Sequence, residues 1–294
     1  MKVTGFGKVV VTADKPLPDV TPWLRVPKLR KFMGKQDRMA VIAASQAAQA
    51  AALTPEQLGE RTGLFLVVGH IPFERADMEL IAAHSTRDGM FDMERFSTTG
   101  IDQVNPLLTF RCLPNMPLFH VSLNLGLRGP SFITYPGAGQ FALALQSAVQ
   151  ALEDGLVDVA LVGAVADQDN FLVGCHRERL GVPSQPPAAD VAAFICLETK
   201  ASVARRGVAG LATLAELEIT YQPHDPFTRT GKAAHDRERA GVDGDWLTRT
   251  DCHLGPASLP VWLGRLAGTG CEGTFSYELH SGDGLHVSSR WNLS

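Results

Sequence analysis

The chain has 294 residues, of which 45% are hydrophobic and 20% are charged, and its formal net charge is −4. This composition is typical of a globular protein with a sizeable core, and the acidic balance argues against a general nucleic-acid surface. No run of about 18 apolar residues occurs and the N-terminus lacks the apolar segment of a signal peptide, so we expect a cytoplasmic protein without a membrane span.

The first third of the chain predicts alternating strands and helices. Residues 9–12 indicate a short strand, and the proline-rich stretch 16–27 indicates an extended loop. Residues 37–53 are rich in alanine and have a helical period. The continuous apolar run 64–68 predicts a buried strand, and residues 73–84 predict a helix.

The middle of the chain contains the strongest helix signal. Residues 138–152 are rich in Ala, Leu and Gln, contain no proline and are almost uncharged, which predicts a helix. Because this helix shows little polar face, we expect it to be buried. Residues 158–165 and 192–197 predict buried strands, and residues 200–206 predict a helical turn.

The last third of the chain changes in composition. Residues 211–220 predict a strand with one solvated face, and the polar stretch 222–245 predicts a long loop. A helix at 258–267 and two strands at 274–279 and 285–291 follow. Strands that alternate with buried helices favour an α/β layered fold.

Motifs for metals and nucleotide cofactors are missing from the sequence. The five cysteines are scattered without a Cys-x-x-Cys pair, and neither a P-loop nor Gly-x-Gly-x-x-Gly occurs. Asp167 and Asp169 form a small polar cluster that either caps a loop or touches a metal; the cap is the simpler interpretation. The sequence predicts no metal and no cofactor.

One segment carries a specific pattern. Residues 115–131 read Asn-Met-Pro-Leu-Phe-His-Val-Ser-Leu-Asn-Leu-Gly-Leu-Arg-Gly-Pro-Ser, which resembles the β-ketoacyl synthase family. Residues 37–40, 154–164 and 188–208 are also similar to segments of that family.

The resemblance implies an α/β, thiolase-like layered α-β-α-β-α fold with a shortened second half. It implies a ketosynthase N-terminal-like half at 1–218 and a truncated C-terminal thiolase-like half at 219–294. Together these two halves are expected to form one structural unit.

The resemblance also locates the family's nucleophile. In ketosynthases an acyl-accepting cysteine follows the Gly-Leu-Arg-Gly-Pro-Ser segment, at the start of a buried helix. The same register places Ala138 at that position here. A methyl group cannot form a thioester, so the family's condensation reaction has no covalent carrier on this chain.

The second half departs from the family pattern as well. The family's His-Gly-Thr triplet and its late Gly-Phe-Gly-Gly loop are missing. His253, in Cys-His-Leu-Gly-Pro-Ala-Ser, fits the position of the second family histidine, and Thr248 stands where the family has a lysine. The resemblance therefore implies a chain that is inactive alone, although the family activity is that of a β-ketoacyl-ACP synthase acyltransferase. His253 is vestigial, pocket-lining or simply structural.

Nucleophile-lacking members of the family are called chain-length factors. They pair as heterodimers with an active ketosynthase and wall the tunnel that receives an acyl chain, which is linked to phosphopantetheine on an acyl carrier protein. The shortened second half resembles the short subunits of aryl-polyene-type type II systems. For His120, predicted to precede a strand, the resemblance implies a structural role near the dimer interface. The candidates for the tunnel or interface are Phe110, Met116, Phe119, His120, Phe132, Tyr135, Gln140 and Phe141.

Other readings stay open. The chain is alternatively an acyl-thioester hydrolase or cyclase that uses His253 with an aspartate, or a homodimeric scaffold that binds only the carrier protein. The basic stretch 28–31 is either a solvated segment or a contact for an acidic carrier protein. Chain length, product and the partner's identity are left undetermined.

Overall fold

The computed structural model describes residues 1–71, 73–179, 187–222, 237–247, 252–281 and 284–294. The α-helices are α1 Lys35–Ala50, α2 Arg75–Ser85, α3 Met93–Arg95, α4 Leu108–Cys112, α5 Met116–Leu125, α6 Gln140–Glu153, α7 Phe171–Arg179, α8 Lys200–Arg206 and α9 Ser258–Gly268. The strands are β1 Lys2–Val11, β2 Thr62–Val68, β3 Thr86–Arg87, β4 Met90–Phe91, β5 Ser131–Thr134, β6 Val159–Ala166, β7 Asp190–Glu198, β8 Ala212–Tyr221, β9 Arg237–Val242, β10 Asp245–Trp246, β11 Gly273–His280 and β12 Leu285–Leu293. None of the helices in these ranges is long and apolar enough to cross a membrane.

The predicted helices and buried strands correspond to α1, α2, α6, α8, α9, β2, β6 and β7, with ends shifted by a few residues. Helix α5 corrects the prediction that a strand follows His120. Pro117 lies in its first turn, and it ends at Gly126, whose φ of 73° is the left-handed conformation common after helices. Pro117 and Gly126 therefore mark the two ends of a helix. The apolar residues between them are compatible with a helix or a strand.

Ten strands form one sheet in the order β10-β9-β11-β12-β8-β1-β7-β6-β2-β5. In the first half, β5, β2 and β6 are parallel, whereas β7 and β1 are antiparallel to their neighbours. The second half is antiparallel throughout. Only two residue pairs join β1 to β8, so the two halves of the sheet meet at a narrow junction.

Strand β1 begins at Lys2, earlier than the predicted strand at residues 9–12. The prediction missed the first part because two glycines interrupt its apolar pattern. Gly5 and Gly7 lie against α1, where an added Cβ would collide with the carbonyl oxygens of Ala47 and Ala43. The absence of side chains at both positions lets α1 press directly onto the sheet. Helices α1 and α5 cover this outer face of the first half, and their apolar residues form one core cluster with β2, β6 and β7.

Helix α6 lies on the opposite face of the first half. It packs on β2 and β6 and also contacts β8. Its apolar residues share a core cluster with Phe275 of β11, with Trp291 of β12 and with α9. Helices α6 and α9 therefore form the layer between the two halves of the sheet, which confirms the predicted burial of α6.

The outer face of the second half is polar. Along β12, Val287 and Trp291 point inward and are buried, whereas Ser288, Arg290 and Asn292 are exposed. The one α-helix after β8 among the described residues is α9, and it packs on β1 and β7. No α-helix after β8 among the described residues covers the outer face of the second half, which suits the polar residues that β12 exposes there. The α/β, thiolase-like fold with a shortened second half is confirmed.

The segment 222–245 is only in part the predicted loop. Residues 223–236 lie outside the described residues, but Arg237–Val242 forms β9 and pairs with β11. The charged residues of this segment hide the alternation of apolar and polar residues that is typical of a strand. It forms a strand because its backbone pairs with β11. The proposed boundary at residue 218 falls inside β8 and stays a prediction.

Gly7→Ala is expected to destabilise the fold, because its methyl group would meet the backbone of α1. Overpacking of this kind costs about 1–3 kcal/mol, to be measured as the free energy of unfolding in urea. Gly268→Ala is the matched control, since a Cβ at that position of α9 meets no atom within 4 Å. Equal effects of the two substitutions would contradict the close packing of β1 on α1.

Candidate functional site

Position 138 lies at the carboxyl edge of the parallel strands. Because β5, β2 and β6 run in one direction, the segments that follow them leave the same edge of the sheet. Residues 135–139 connect β5 to α6 and include Ala138. Asp167 follows β6, and Asp190 begins the antiparallel β7 beside it. This edge therefore brings together the start of α6 and two carboxyl groups.

Ala138 is half-buried and packs against the core that α6 shares with the second half of the sheet. At the next residue, Gly139, an added Cβ would lie 2.7 Å from Cβ of Leu285 and 3.4 Å from Cβ of Ser281. The end of β11 and the start of β12 therefore close over the beginning of α6. The enclosed methyl group of Ala138 offers no nucleophile, and the amide of the half-buried Gln140 is not one either.

His253 is held at the same edge by its backbone. Its N–H donates to the Pro187 carbonyl at 2.8 Å, and its own carbonyl accepts from the N–H of Ala189 at 3.2 Å. The side-chain amide of Gln168, just after β6, also donates to the His253 carbonyl at 3.0 Å. The turn Gly255–Ala257 then contacts β6 and α6. A pocket-lining or vestigial role for the imidazole stays a prediction, and Thr248 lies outside the described residues.

The tunnel and interface candidates divide into two groups by exposure. Met116, His120 and Phe141 are buried, and Gln140 is half-buried. The exposed side chains are Phe110 at 44%, Phe119 at 46%, Phe132 at 40% and Tyr135 at 65%. The first group belongs to the core of this chain, whereas the second is available to a partner.

Strand β5 is the edge of the sheet on the first-half side. Among the described residues it pairs only with β2, so the backbone groups of its other side are directed away from the sheet. Exposed Phe132 lies on this strand, and exposed Tyr135 follows it. Helix α5, which contacts β2, exposes Phe119 and Leu123 one turn apart. An unpaired strand edge with exposed apolar side chains is suited to pairing with another chain.

Two buried polar side chains face each other between α1 and α5, and no local sequence pattern predicts that they meet. His120 Nε2 lies 4.0 Å from Asp37 Oδ2, and the same carboxylate oxygen accepts from the N–H of Gly34 at 2.7 Å. Within the described part of the chain, neither ring nitrogen of His120 has a hydrogen-bond partner. Burial raises the pKa of Asp37 to about 7 and lowers the pKa of His120 to about 4, because it disfavours the charged form of each.

A second buried cluster joins the start of α1 to the sheet. Lys35 Nζ lies 3.1 Å from Asp167 Oδ1 and 2.5 Å from Asp190 Oδ2. Burial lowers the pKa of Lys35, but the hydrogen bonds and charges of Asp190 and Asp167 outweigh burial and the pKa is raised. Burial raises the pKa of Asp167 to about 6. The carboxylate of Asp167 thus pairs with a lysine, and no cluster of three metal-ligating side chains occurs among the described residues.

Asp37→Asn is expected to flatten the dependence of stability on pH. The carboxyl group has an ordinary pKa of 3.8 and a folded-state pKa of about 7. Its contribution to stability is therefore fully present below about pH 4 and is lost as the pH rises through about 7. Relative to the natural chain, the free energy of unfolding of Asp37→Asn should rise by roughly 2–4 kcal/mol between about pH 4 and pH 8.

Urea unfolding of both proteins across this pH range measures the difference. Asp14→Asn, at an exposed aspartate, is the control and should follow the natural chain. If Asp37→Asn also follows the natural chain, the pKa of Asp37 is the same in the folded and unfolded states, and the predicted effect of burial is contradicted.

Comparison with known proteins agrees with this architecture. Residues 18–185 match the family model described as beta-ketoacyl synthase, N-terminal domain. No curated protein sequence matches the chain. A similar solved structure is described as "AntDE:AntF (apo): type II PKS acyl-carrier protein in complex with its ketosynthase bound to the hexaketide". Its TM-score is 0.70, and at 16% identity the match covers 100% of this chain and 99% of that chain.

Two other similar structures are longer than this chain. The ishigamide ketosynthase/chain length factor has a TM-score of 0.56 and 18% identity over 75% of this chain and 63% of that chain. A β-ketoacyl synthase from Burkholderia phymatum STM815 has a TM-score of 0.56 and 16% identity over 77% of this chain and 65% of that chain. These identities show the fold alone. Because the family model covers residues 18–185, more than half of the 294, the chain belongs to the β-ketoacyl synthase family.

Proposed function

We propose that this chain is a non-catalytic ketosynthase-like subunit, of the chain-length-factor type, that pairs with an active β-ketoacyl-ACP synthase. The pair would act in type II polyketide, polyene or fatty-acid-like synthesis, and the shortened second half resembles the short subunits of aryl-polyene-type systems. The observation that carries the proposal is Ala138, which lies two residues before the buried helix α6, at the position where the resemblance places the family's cysteine.

The chemistry of condensation supports a non-catalytic role. The family's reaction needs a thiolate to hold the acyl chain, and two histidines to stabilise the enolate oxygen that forms on decarboxylation. Ala138 supplies no thiolate, and His253 alone fits one of the two histidine positions. A chain of this composition can shape a tunnel and stabilise a partner, but it lacks the groups that break and form the bonds.

The exposed edge of the sheet supports pairing with a second chain. Strand β5 has a free edge, and Phe132, Tyr135 and Phe119 are exposed on or beside it. In the proposed heterodimer these side chains are buried against the ketosynthase, together with Phe110. The acyl chain arrives on the phosphopantetheine arm of an acyl carrier protein and reacts at the partner's cysteine, so this chain itself needs no cofactor.

Co-expression with a candidate ketosynthase tests the proposal. We expect a stable one-to-one complex on size-exclusion chromatography, and elongation from malonyl-loaded carrier protein only when both chains are present. A homodimer that ignores the ketosynthase but hydrolyses acyl thioesters, and loses that activity in His253→Ala, would replace the proposal with the hydrolase alternative.

Ala138→Cys is expected to leave this chain without condensing activity, because restoring the thiol does not restore the missing histidine or the glycine loop. The elongation rate of the complex should also stay unchanged. The matched control is cysteine to alanine at the partner's nucleophile, which should abolish elongation. Condensation by Ala138→Cys in the absence of the partner would contradict the proposed role.

Phe132→Glu is expected to weaken the complex, because it places a charge on the edge strand that faces the partner. Loss of a central interface contact should raise the Kd by about tenfold or more, as measured by analytical ultracentrifugation. Tyr221→Glu, at an aromatic residue that is 64% exposed on β8, is the control and should bind normally. If the two variants bind equally well, the partner does not use the β5 edge.

A further inference from the structure

Two histidines lie side by side on the outer face of the second half of the sheet. His280 is the last residue of β11 and His286 is the second residue of β12, and the two are partners in the antiparallel register. They alternate with the buried residues Leu279 and Val287, so their side chains are on the solvated face. The ring centroids are 4.4 Å apart and the ring planes are inclined at 63°. The two imidazoles are therefore in contact at the surface of the protein.

The backbone of the hairpin holds this pair in place. The register between β11 and β12 continues without a shift from Gly273 to His280. Just beyond the pair, the N–H of Ser281 donates to the Leu285 carbonyl at 2.8 Å. Because hydrogen-bonded and non-hydrogen-bonded pairs alternate along an antiparallel ladder, His280 and His286 form a non-hydrogen-bonded pair, in which side chains are closer. A ligand that needs both rings finds them already near each other, which lowers the entropic cost of binding.

The separation of the rings fits two ligands of one metal ion. With metal–nitrogen bonds of about 2.0–2.1 Å at a right angle, the centroids of two imidazoles lie about 4.5 Å apart. With a tetrahedral angle, the same bonds place the centroids about 5 Å apart. The observed 4.4 Å is that of the right angle. Right angles between nitrogen ligands occur in tetragonal sites, which Cu²⁺ and Ni²⁺ prefer.

The neighbours of the pair determine which ions it can hold. Thr220 lies opposite His286 on β8, and Arg237 lies opposite His280 on β9. Glu278, two residues before His280, is on the same face of the sheet. The guanidinium group opposes a bound cation and the carboxylate favours it, and both effects are small at a solvated surface. Recognition therefore depends on bonds to imidazole nitrogen, which excludes Mg²⁺ and Ca²⁺ because these ions prefer oxygen ligands.

We propose that His280 and His286 form a binding site for one divalent transition-metal ion, with Cu²⁺ bound more tightly than Ni²⁺ or Zn²⁺. This order is the general affinity order of these ions for nitrogen ligands. In the described part of the chain no third His, Cys, Asp or Glu completes a metal-binding group. Water therefore takes the other coordination positions of the ion. The site is on the second half of the sheet and is independent of the proposed pairing through β5.

The proposed site lies at the turn that closes over the start of α6. Ser281 and Leu285 are next to the two histidines in the sequence, and they are the residues that an added Cβ at Gly139 would meet. An ion held by both imidazoles links β11 to β12 at this end. Because the ion binds the pair only where the two strands are paired, it stabilises the closed turn and the folded chain.

Isothermal titration calorimetry of the full chain with Cu²⁺, Ni²⁺, Zn²⁺ and Mg²⁺, each alone, tests the site. We expect one Cu²⁺ ion per chain, weaker binding of Ni²⁺ and Zn²⁺, and no binding of Mg²⁺. His280→Phe and His286→Phe, tested separately, keep an aromatic ring in the pair but remove its nitrogens. Each should raise the Kd for Cu²⁺ by about 100-fold, because binding through two linked groups is lost.

His84→Phe is the matched control, at an exposed histidine on α2, and should change the Kd by less than about twofold. Thermal unfolding without metal establishes that each variant is folded. With Cu²⁺ present, the Tm of the natural chain and of His84→Phe should rise, whereas that of His280→Phe should stay unchanged.

Electron paramagnetic resonance of the Cu²⁺ complex of the natural chain counts the nitrogen ligands, and we expect two. This measurement does not depend on the folding of any variant. The proposal is overturned if Cu²⁺ does not bind, or if the bound ion has a single nitrogen ligand. It is also overturned if His280→Phe and His286→Phe bind Cu²⁺ as tightly as the natural chain, since the ion then lies elsewhere and the two rings serve only to pack against each other.

Discussion

The packing of α6 between the two halves of the sheet is the interaction on which the rest of the structure depends. Its residues contact β2 and β6 on one side and share a core with Phe275 and Trp291 on the other. Gly139 lies so close to Leu285 that a Cβ has no room. Ala138 lies two residues before this helix and packs against the same core. The proposed non-catalytic role places the family's nucleophile position here, where alanine is compatible with the packing but supplies no thiol.

Buried charge is concentrated on the opposite face of the first half, around α1. Asp37 faces His120, Lys35 joins Asp167 and Asp190, and further along, Glu198 pairs with Arg206, which also donates to the carbonyl groups at the end of α1. Each pair ties α1 to a different element of the fold. The lysine and arginine lie beside carboxylates because an unpaired buried charge is costly, whereas burial disfavours the charged forms of Asp37 and His120. Two of these carboxyl groups, Asp167 and Asp190, lie at the edge of the sheet where α6 begins, and both are paired with Lys35.

The second half of the sheet contributes one face to the core. Strands β11 and β12 alternate buried, mostly apolar residues with more exposed polar ones, so one face packs around α6 and the other faces solvent. The unpaired strand edge at β5 lies in the first half and the histidine pair lies on the solvated face of the second half, so the two proposals concern separate surfaces.

The sequence by itself determined α1, α6 and α9, the buried strands β2, β6 and β7, and the alanine at position 138, because helical periods and apolar runs are local properties. Tertiary structure decided what local patterns leave ambiguous. Apolar residues 116–125 became α5, and the charged residues 237–242 became a strand because β11 offered them a partner. Lys35 meets Asp167, 132 residues away, only because the strands end at one edge beside α1. Such contacts between residues that are far apart in the sequence depend on strand order and chain direction, which no local pattern specifies.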